Sequence, residues 1–436
     1  MGHEEAWRVL KTLGVFEAAM IETLFRSRVV RRRMADSHLG IILSEFALFL
    51  EARGHVLTSL QVYVQVAEHF SRWLGERGLL AHEIGETAVE QFVRGHLPHC
   101  RCPKPHPIHP RNCRSAIDLL LAFLRLTKRI RAPARTPDSA VDRLVRKYDA
   151  YLNDVAGLAF ETRFYRRRYA REFLESRLRR GRIQLTGLSP KILRRYIERR
   201  ALCLKPASLR VLSTSLRSFL RFLHFTGRGA RHWAQAISPP AAWPRSSPPQ
   251  VLSKEQYRDF LNSFDRATRT GRRDFAMALC LCLLGMRTHE VAALTLEDID
   301  WRRSELTLRK TKQRRERVLP LPARLAKALA IYLQHGRPPT ESRSLFVRHQ
   351  APLGHALHVH HVRGAMRRAF KRCGIKSDQV HLLRHTFATQ LHRKGVGLKA
   401  IADLLGHVSL DTSARYALVN IRELRQATLP WPERNA

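Results

Sequence analysis

The chain has 436 residues and a formal net charge of +41, from 78 Lys and Arg against 37 Asp and Glu. Hydrophobic residues make up 44%, enough to build packed cores, which excludes a disordered polyelectrolyte and suggests two or three domains of about 100–200 residues. The charge is out of place in an ordinary enzyme of small metabolites and attracts polyanions, nucleic acid first and an anionic membrane surface as the rival.

The N-terminal MGHEEAWRVLKTLG has early acids and no long apolar run, so no secretory leader is expected. The longest apolar stretch, Phe275–Met286, is shorter than the ~20 residues of a membrane span and predicts a buried helix, so no membrane partner is expected. Seven cysteines, an odd number scattered over the chain, suit a reducing cytoplasm better than a disulfide framework.

Proline-rich breaks at 131–139 and 237–250 divide the sequence, because proline withholds a helix donor and biases the residue before it to extended forms. The expected organisation is a helical N-terminal domain over 1–130, a second helical unit over 140–236, a linker at 237–250 and a third domain from 250 to about 430.

The first two pieces read as helical, with apolar positions three to four residues apart. They also resemble each other. Segments 58–74, 84–93 and 116–126 run parallel to 161–178, 188–197 and 209–223, with Phe70 matching Phe173, Phe92 matching Tyr196 and Val93 matching Ile197 at offsets of 103 or 104. The sequence allows either a duplication or two unrelated amphipathic units.

Between helices of the first piece, 96–113 (HLPHCRCPKPHPIHPRNC) collects His96, His99, Cys100, Cys102, His106, His109 and Cys113. Two readings stand. A structural zinc site would draw on Cys100, Cys102, His106 and Cys113, although Cys-x-Cys is tighter than the usual spacing. The alternative is a His/Pro-rich loop held open by its prolines. In the second piece, Arg163, Arg166, Arg167, Arg168 and Arg171, with Arg194, Arg195, Arg199 and Arg200, crowd the polar helix faces. With few acids in view, these predict a phosphate-tracking surface rather than a merely solvated face.

The third piece predicts a helix at 253–264 capped by Ser253 with Gln256 three residues on, then the apolar helix at 275–284. Two short strands follow in SELTLRK and RERVLPL, and mostly helix runs from 322 to 428. The fold class is α+β, predominantly α-helical, with a small antiparallel sheet.

This piece also carries the polar residues that suggest chemistry. Gly285-Met286-Arg287-Thr288-His289-Glu290 closes the buried helix, and Lys312 lies between the strands. His381-Leu382-Leu383-Arg384-His385-Thr386 opens a helix, and Leu404-Leu405-Gly406-His407 precedes Tyr416 by nine residues from the histidine. Two arginines can clamp the non-bridging oxygens of a phosphodiester. Histidines can donate hydrogen bonds and move protons, a lysine can protonate a leaving oxygen, and a tyrosine can attack and hold the phosphate as an ester. With that much fixed positive charge the transition state needs no divalent metal, so no catalytic cofactor is expected.

In order and distance these motifs resemble the tyrosine recombinases, or phage integrase family, strongly over 250–428 and more weakly over 140–236, which looks like that family's helical, SAM-like core-binding domain. The resemblance implies that Arg287 and Arg384 bind the scissile phosphate, Lys312 is the general acid for the 5′-oxygen and His381 assists proton transfer from the tyrosine. It also implies that His407 donates to a non-bridging oxygen and Tyr416 is the nucleophile, with Glu290, Thr386 and Ser409 as supports. It implies double-stranded DNA as the partner, a tetramer on DNA working alone or with other recombinases of a mobile element, and a place in the bacterial cytoplasm beside the nucleoid. The 130 extra N-terminal residues resemble those of the longer, mobile-element members. A type IB topoisomerase-like enzyme and an accessory DNA-binding subunit are the rival readings. The tail beyond Tyr416 favours the recombinase over the first, and the filled catalytic set disfavours the second.

Overall fold

The computed structural model describes residues 19–79, 84–102, 109–131, 138–238, 250–309 and 316–406. The chain divides into two compact units, one of residues 132–245 and one that joins 1–131 with 246–436. The N-terminal piece therefore groups with the third piece, where the sequence suggests three separate bodies. One link is the amide of Leu353, which donates to the Arg53 carbonyl at 3.2 Å. Each of the three pieces nonetheless keeps its own apolar core.

The N-terminal piece begins with helices α1 (Ala19–Leu24), α2 (Arg28–Ala35), α3 (Gly40–Ala52) and α4 (Leu57–Glu76). Then α5 (Glu86–Glu90) runs into a π-helical stretch, Gln91–His96, and a 3₁₀ turn, Leu97–His99, before α6 (Pro110–Leu126). Phe46, Phe70, Phe92 and Phe123 are fully buried.

The middle unit holds α7 (Ala140–Ala150), α8 (Phe160–Ser176), a two-stranded hairpin β1 (Leu178–Arg179) and β2 (Arg182–Ile183), α9 (Pro190–Ala201), α10 (Pro206–Phe225) and α11 (Arg231–Gln235). Its starts are written in the sequence. Ser139 and Asp142 form a capping box on α7, the Ser189 hydroxyl accepts from the Ile192 amide, and proline opens α9 and α10, where its missing donor costs nothing.

The internal likeness of the two helical pieces extends to side-chain geometry. Phe70 meets Phe92 edge to face at 5.1 Å, and Phe173 meets Tyr196 edge to face at 5.2 Å. In each piece a long helix, a short helix and a second long helix present the same aromatic pair at the same place, which favours the duplication.

The third piece opens on α12 (Lys254–Asn262), whose expected capping box between Ser253 and Gln256 is present. The apolar helix is α13 (Arg269–Leu283), and every residue from Phe275 to Cys282 is buried, as a helix apolar all round requires. Around it stand α14 (Thr288–Ala293), α15 (Ala323–His335), α16 (Val359–Arg372), α17 (His381–Arg393) and α18 (Leu398–Leu405). The sheet is antiparallel in the order β3 (Ile299–Asp300), β4 (Glu305–Leu308), β5 (Arg317–Pro320), with Leu306 opposite Leu319 and Leu308 opposite Arg317. The α+β, mainly helical class is thus the observed one. Among the described residues no helix is long and apolar enough to cross a membrane.

Candidate active site

The site is built where α13 ends. Gly285 has φ +59°, and a Cβ there would lie 2.4 Å from the Phe387 ring and 2.7 Å from Leu405, so the turn needs glycine for both reasons. The next turn delivers Arg287 to the N-cap of α14. Its amide donates to Glu290 Oε2 at 2.7 Å and its Nη1 to Glu290 Oε1 at 2.9 Å, a capping box closed by an arginine.

Arg384, on α17, is buried. Its Nη1 donates to the Gly285 carbonyl at 2.6 Å and its Nη2 to the Leu405 carbonyl at 2.7 Å. Arg287 Nη2 reaches the neighbouring Gly406 carbonyl at 3.1 Å. Two arginines far apart in sequence therefore hold successive carbonyls at the C-terminus of α18, where backbone dipoles favour cations. Gly406 closes that helix at φ +62°, and a Cβ there would strike Arg317 Nη1 at 2.4 Å. The Leu-Gly-His motif thus places a glycine where the left-handed backbone strains any other residue.

His381 is the first residue of α17 and retains an exposed edge. Partial desolvation lowers its imidazole below the usual 6.5, and Arg384, Arg363, Arg287 and His289 push the same way. It is neutral at physiological pH and able to accept a proton. Thr386 acts as a tether: its hydroxyl donates to the Leu382 carbonyl at 2.8 Å and accepts from the Leu252 amide at 2.9 Å, fixing the chain as it enters this domain.

Two residues that no motif singles out join the cluster. Arg317, at the start of β5, donates to Glu290 Oε2 at 3.4 Å. Arg363, on α16, points its Nε at the Thr288 hydroxyl, 3.4 Å away. The only sequence signal at Arg317 is a charge facing inward beside Leu319. Burial would push Glu290 upward, but the Arg287 amide and the Arg317 and Arg287 guanidiniums outweigh it and hold the carboxyl below its ordinary 4.5. Arg317 bears the opposite cost: burial, against which Glu290 pulls and to which Arg287 adds repulsion, lowers its pKa, yet a guanidinium stays charged.

The sign of the linkage follows. A depressed carboxyl contributes stability that is fully present above its unfolded pKa, near 4.5, and is lost as pH falls through the folded value. Glu290→Gln should remove that acid-dependent component and cost about 3–5 kcal/mol at neutral pH, because two largely desolvated guanidiniums lose their buried counter-charge. Thermal unfolding of both proteins, followed from neutral to acid pH, checks this. Parallel curves would mean that Glu290 is not the group responsible.

Lys312 lies in 310–315, and His407, Ser409 and Tyr416 lie in 407–436, outside the described residues. Their chain neighbours are placed: the connection bearing Lys312 leaves the sheet at the Leu308–Arg317 pair, and Gly406 precedes His407.

Of the five α8 arginines expected to track phosphates, four are engaged inside the middle unit. Arg163 and Arg167 pair with Asp149, Arg171 pairs with Asp142, and Arg166 donates to the Ser218 hydroxyl at 2.9 Å. Arg168 is exposed beside the Tyr169 ring. The acids that balance this helix sit on α7, so the apparent lack of counter-charge within α8 is corrected by packing. Arg194, Arg195 and Arg199 are exposed and carry no ion pair among the described residues. Of the zinc candidates, Cys100 and Cys102 lie together and Cys113 is buried in the core, whereas His106 falls outside the described residues. The group that includes Cys100 and Cys102 is completed by His69 and His96.

The phage integrase family model matches residues 250–423. A putative integrase/recombinase, y4rA, from Sinorhizobium fredii is 33% identical over 404 residues, covering 92% of this chain and 96% of that protein. Tyrosine recombinase XerA of Thermococcus onnurineus is 30% identical over 288 residues, covering 66% of this chain and 95% of that protein. The solved XerH site-specific recombinase bound to its difH substrate, a pre-cleavage complex, is 18% identical with a TM-score of 0.49, covering 78% of this chain and 94% of that one.

Proposed function

The chain belongs to the phage integrase family of tyrosine recombinases, and on that premise we propose that it cuts and rejoins double-stranded DNA at specific sites for a mobile element. The Tyr416 oxygen attacks the scissile phosphorus, the bond from phosphorus to the 5′-oxygen breaks, and a 3′-phosphotyrosine and a free 5′-hydroxyl result. Neutral His381 helps take the tyrosine proton, and Lys312 gives one to the departing oxygen. Arg287, Arg384 and His407 neutralise the charge that grows on the non-bridging oxygens. Attack by a 5′-hydroxyl from a second duplex reverses the step and completes the exchange.

The observation that carries this reading is the seating of Arg287 and Arg384 on the successive carbonyls of Leu405 and Gly406, with His381 in the same positive field. Fixed cations so held need no rearrangement as charge develops. The enzyme works in the bacterial cytoplasm, as a tetramer across two duplexes, alone or with other recombinases of its element. The test is incubation of the full chain with nicked duplexes taken from DNA flanking its gene, followed by a denaturing gel. A covalent protein–DNA band is expected. Binding with no such band from any flanking duplex would favour the accessory-subunit reading.

The basic surface of the middle unit supplies affinity. Of the arginines read as phosphate-tracking, Arg168, Arg194, Arg195 and Arg199 are the exposed ones offered to phosphates, whereas Arg163, Arg167 and Arg171 brace α8 on α7. Replacing Arg194, Arg195 and Arg199 together by alanine should flatten the dependence of log affinity on log salt by roughly 0.9 for each phosphate no longer neutralised, with the unfolding midpoint unchanged. Arg163→Ala should do the reverse, lowering stability and sparing the salt slope. Binding isotherms at several salt concentrations separate the two, and an unchanged slope in the triple variant would place the interface elsewhere.

A further inference from the structure

We propose that His69, His96, Cys100 and Cys102 bind one zinc ion, a structural cross-link in the N-terminal piece. Their ligand atoms all lie within 4.8 Å of one another. Nε2 of His69 is 3.1 Å from Nε2 of His96, Cys100 Sγ is 3.4 Å from His69 Nε2, and Cys102 Sγ is 3.6 Å from His96 Nε2. A zinc tetrahedron with ordinary bonds has edges of about 3.3 Å between two nitrogens and about 3.6 Å between nitrogen and sulfur. The observed separations fall close to those edges.

Hydrogen bonding accounts for them less well. An imidazole Nε2 has a single in-plane position, donor or acceptor. Each of these nitrogens faces the other and a sulfur as well, so all four ligand atoms converge on one point. Two neutral imidazoles and two thiolates suit zinc, and the resulting centre has no net charge. Four protein ligands leave no open position, which makes the site structural rather than catalytic.

The surroundings hold the ligands in place. His69 is fully buried in α4, its ring edge on Phe92 at 5.1 Å, and Phe92 stacks on His96 at 5.3 Å. His96 ends the π-helical stretch, a rare geometry found mostly where a side chain has a function. Leu97–His99 then turns the chain to bring in the two cysteines.

The internal likeness of the two helical pieces supplies a further argument. At the offsets of 103 and 104 that match Phe70 to Phe173 and Phe92 to Tyr196, His69 corresponds to Glu172 and His96 to Arg200. In the middle unit Arg200 Nη2 donates to Glu172 Oε1 at 2.8 Å. One structural position thus carries an ion pair in one copy and, with two added cysteines, a metal centre in the other. Both join the long helix to the short helix behind the aromatic pair.

The full chain, purified without chelator, should contain one zinc per molecule by elemental mass spectrometry. Cys100→Ser with Cys102→Ser should abolish the bound zinc, and His99→Ala, at an exposed neighbour, should leave it at one. Cobalt(II) substitution of the wild-type protein gives a second reading that does not depend on the folding of the double variant. It should show intense tetrahedral d–d bands with thiolate charge transfer. Substoichiometric zinc in the wild-type protein, zinc that survives loss of both cysteines, or a cobalt spectrum without thiolate bands would overturn the proposal. None of these readouts depends on DNA cleavage.

Discussion

Tyr416→Phe should bind DNA as the wild-type protein does and form no covalent adduct. Removing one oxygen leaves the aromatic ring and the positive field of the site intact, so binding, which rests on phosphate neutralisation, is unaffected. On the role proposed for Tyr416, the variant lacks the nucleophile. Of the other tyrosines, Tyr169 and Tyr196 are buried in the middle unit's core, and burial pushes the Tyr196 hydroxyl up to about 12. Burial likewise raises Tyr257, beside Cys282. Such hydroxyls resist ionisation and belong to packing. The measurement is the denaturing gel with nicked duplex, run beside a binding isotherm. An adduct that persists in Tyr416→Phe would move the nucleophile to another residue.

Arg384→Ala should lower strand cleavage by 10²–10³-fold, about 2.7–4 kcal/mol, the scale for losing one preorganised donor. It should also destabilise the domain, since the Gly285 and Leu405 carbonyls would each lose a charged partner at about 1–3 kcal/mol apiece. Arg384→Lys separates the effects. A lysine keeps the charge but lacks the planar fork that spans two carbonyls, so cleavage should fall nearly as far while the charge-dependent affinity for DNA is retained. Single-turnover cleavage rates and unfolding midpoints for the two variants decide the matter. Wild-type cleavage by Arg384→Lys would show that charge alone, and not bidentate geometry, is what the site requires.

The sequence was most legible where a requirement is local. The Ser253–Gln256 capping box and the prolines that open α9 and α10 each answer to neighbours a few residues away, whereas Gly285 and Gly406 are crowded by Phe387, Leu405 and Arg317, all distant in sequence. The apolar run at 275–282 reads as a helix because a segment apolar on every side has nowhere to lie but inside. The strands at 305–308 and 317–320 follow from alternation. The order of Arg287, Lys312, His381, Arg384, His407 and Tyr416 was enough to indicate the chemistry, because phosphoryl transfer through tyrosine calls for those groups.

What lay beyond the sequence is partnership between distant residues. Nothing near Arg163, Arg167 or Arg171 announces Asp142 and Asp149, because α7 and α8 meet only after both have formed and packed. Their charges looked unbalanced until the fold supplied the acids. Arg317 and Arg363 join the candidate site beside Glu290 and Thr288 for the same reason, and His69, in a helix 27 residues before His96 with no motif around it, reaches the cysteine pair in the same way. Charge, periodicity and motif order settled by themselves that this is a basic, mainly helical protein with recombinase chemistry. Only helix packing decided which arginines of α8 are held in ion pairs and which histidines lie beside the cysteine pair, since those depend on distances in space that no spacing along the chain encodes.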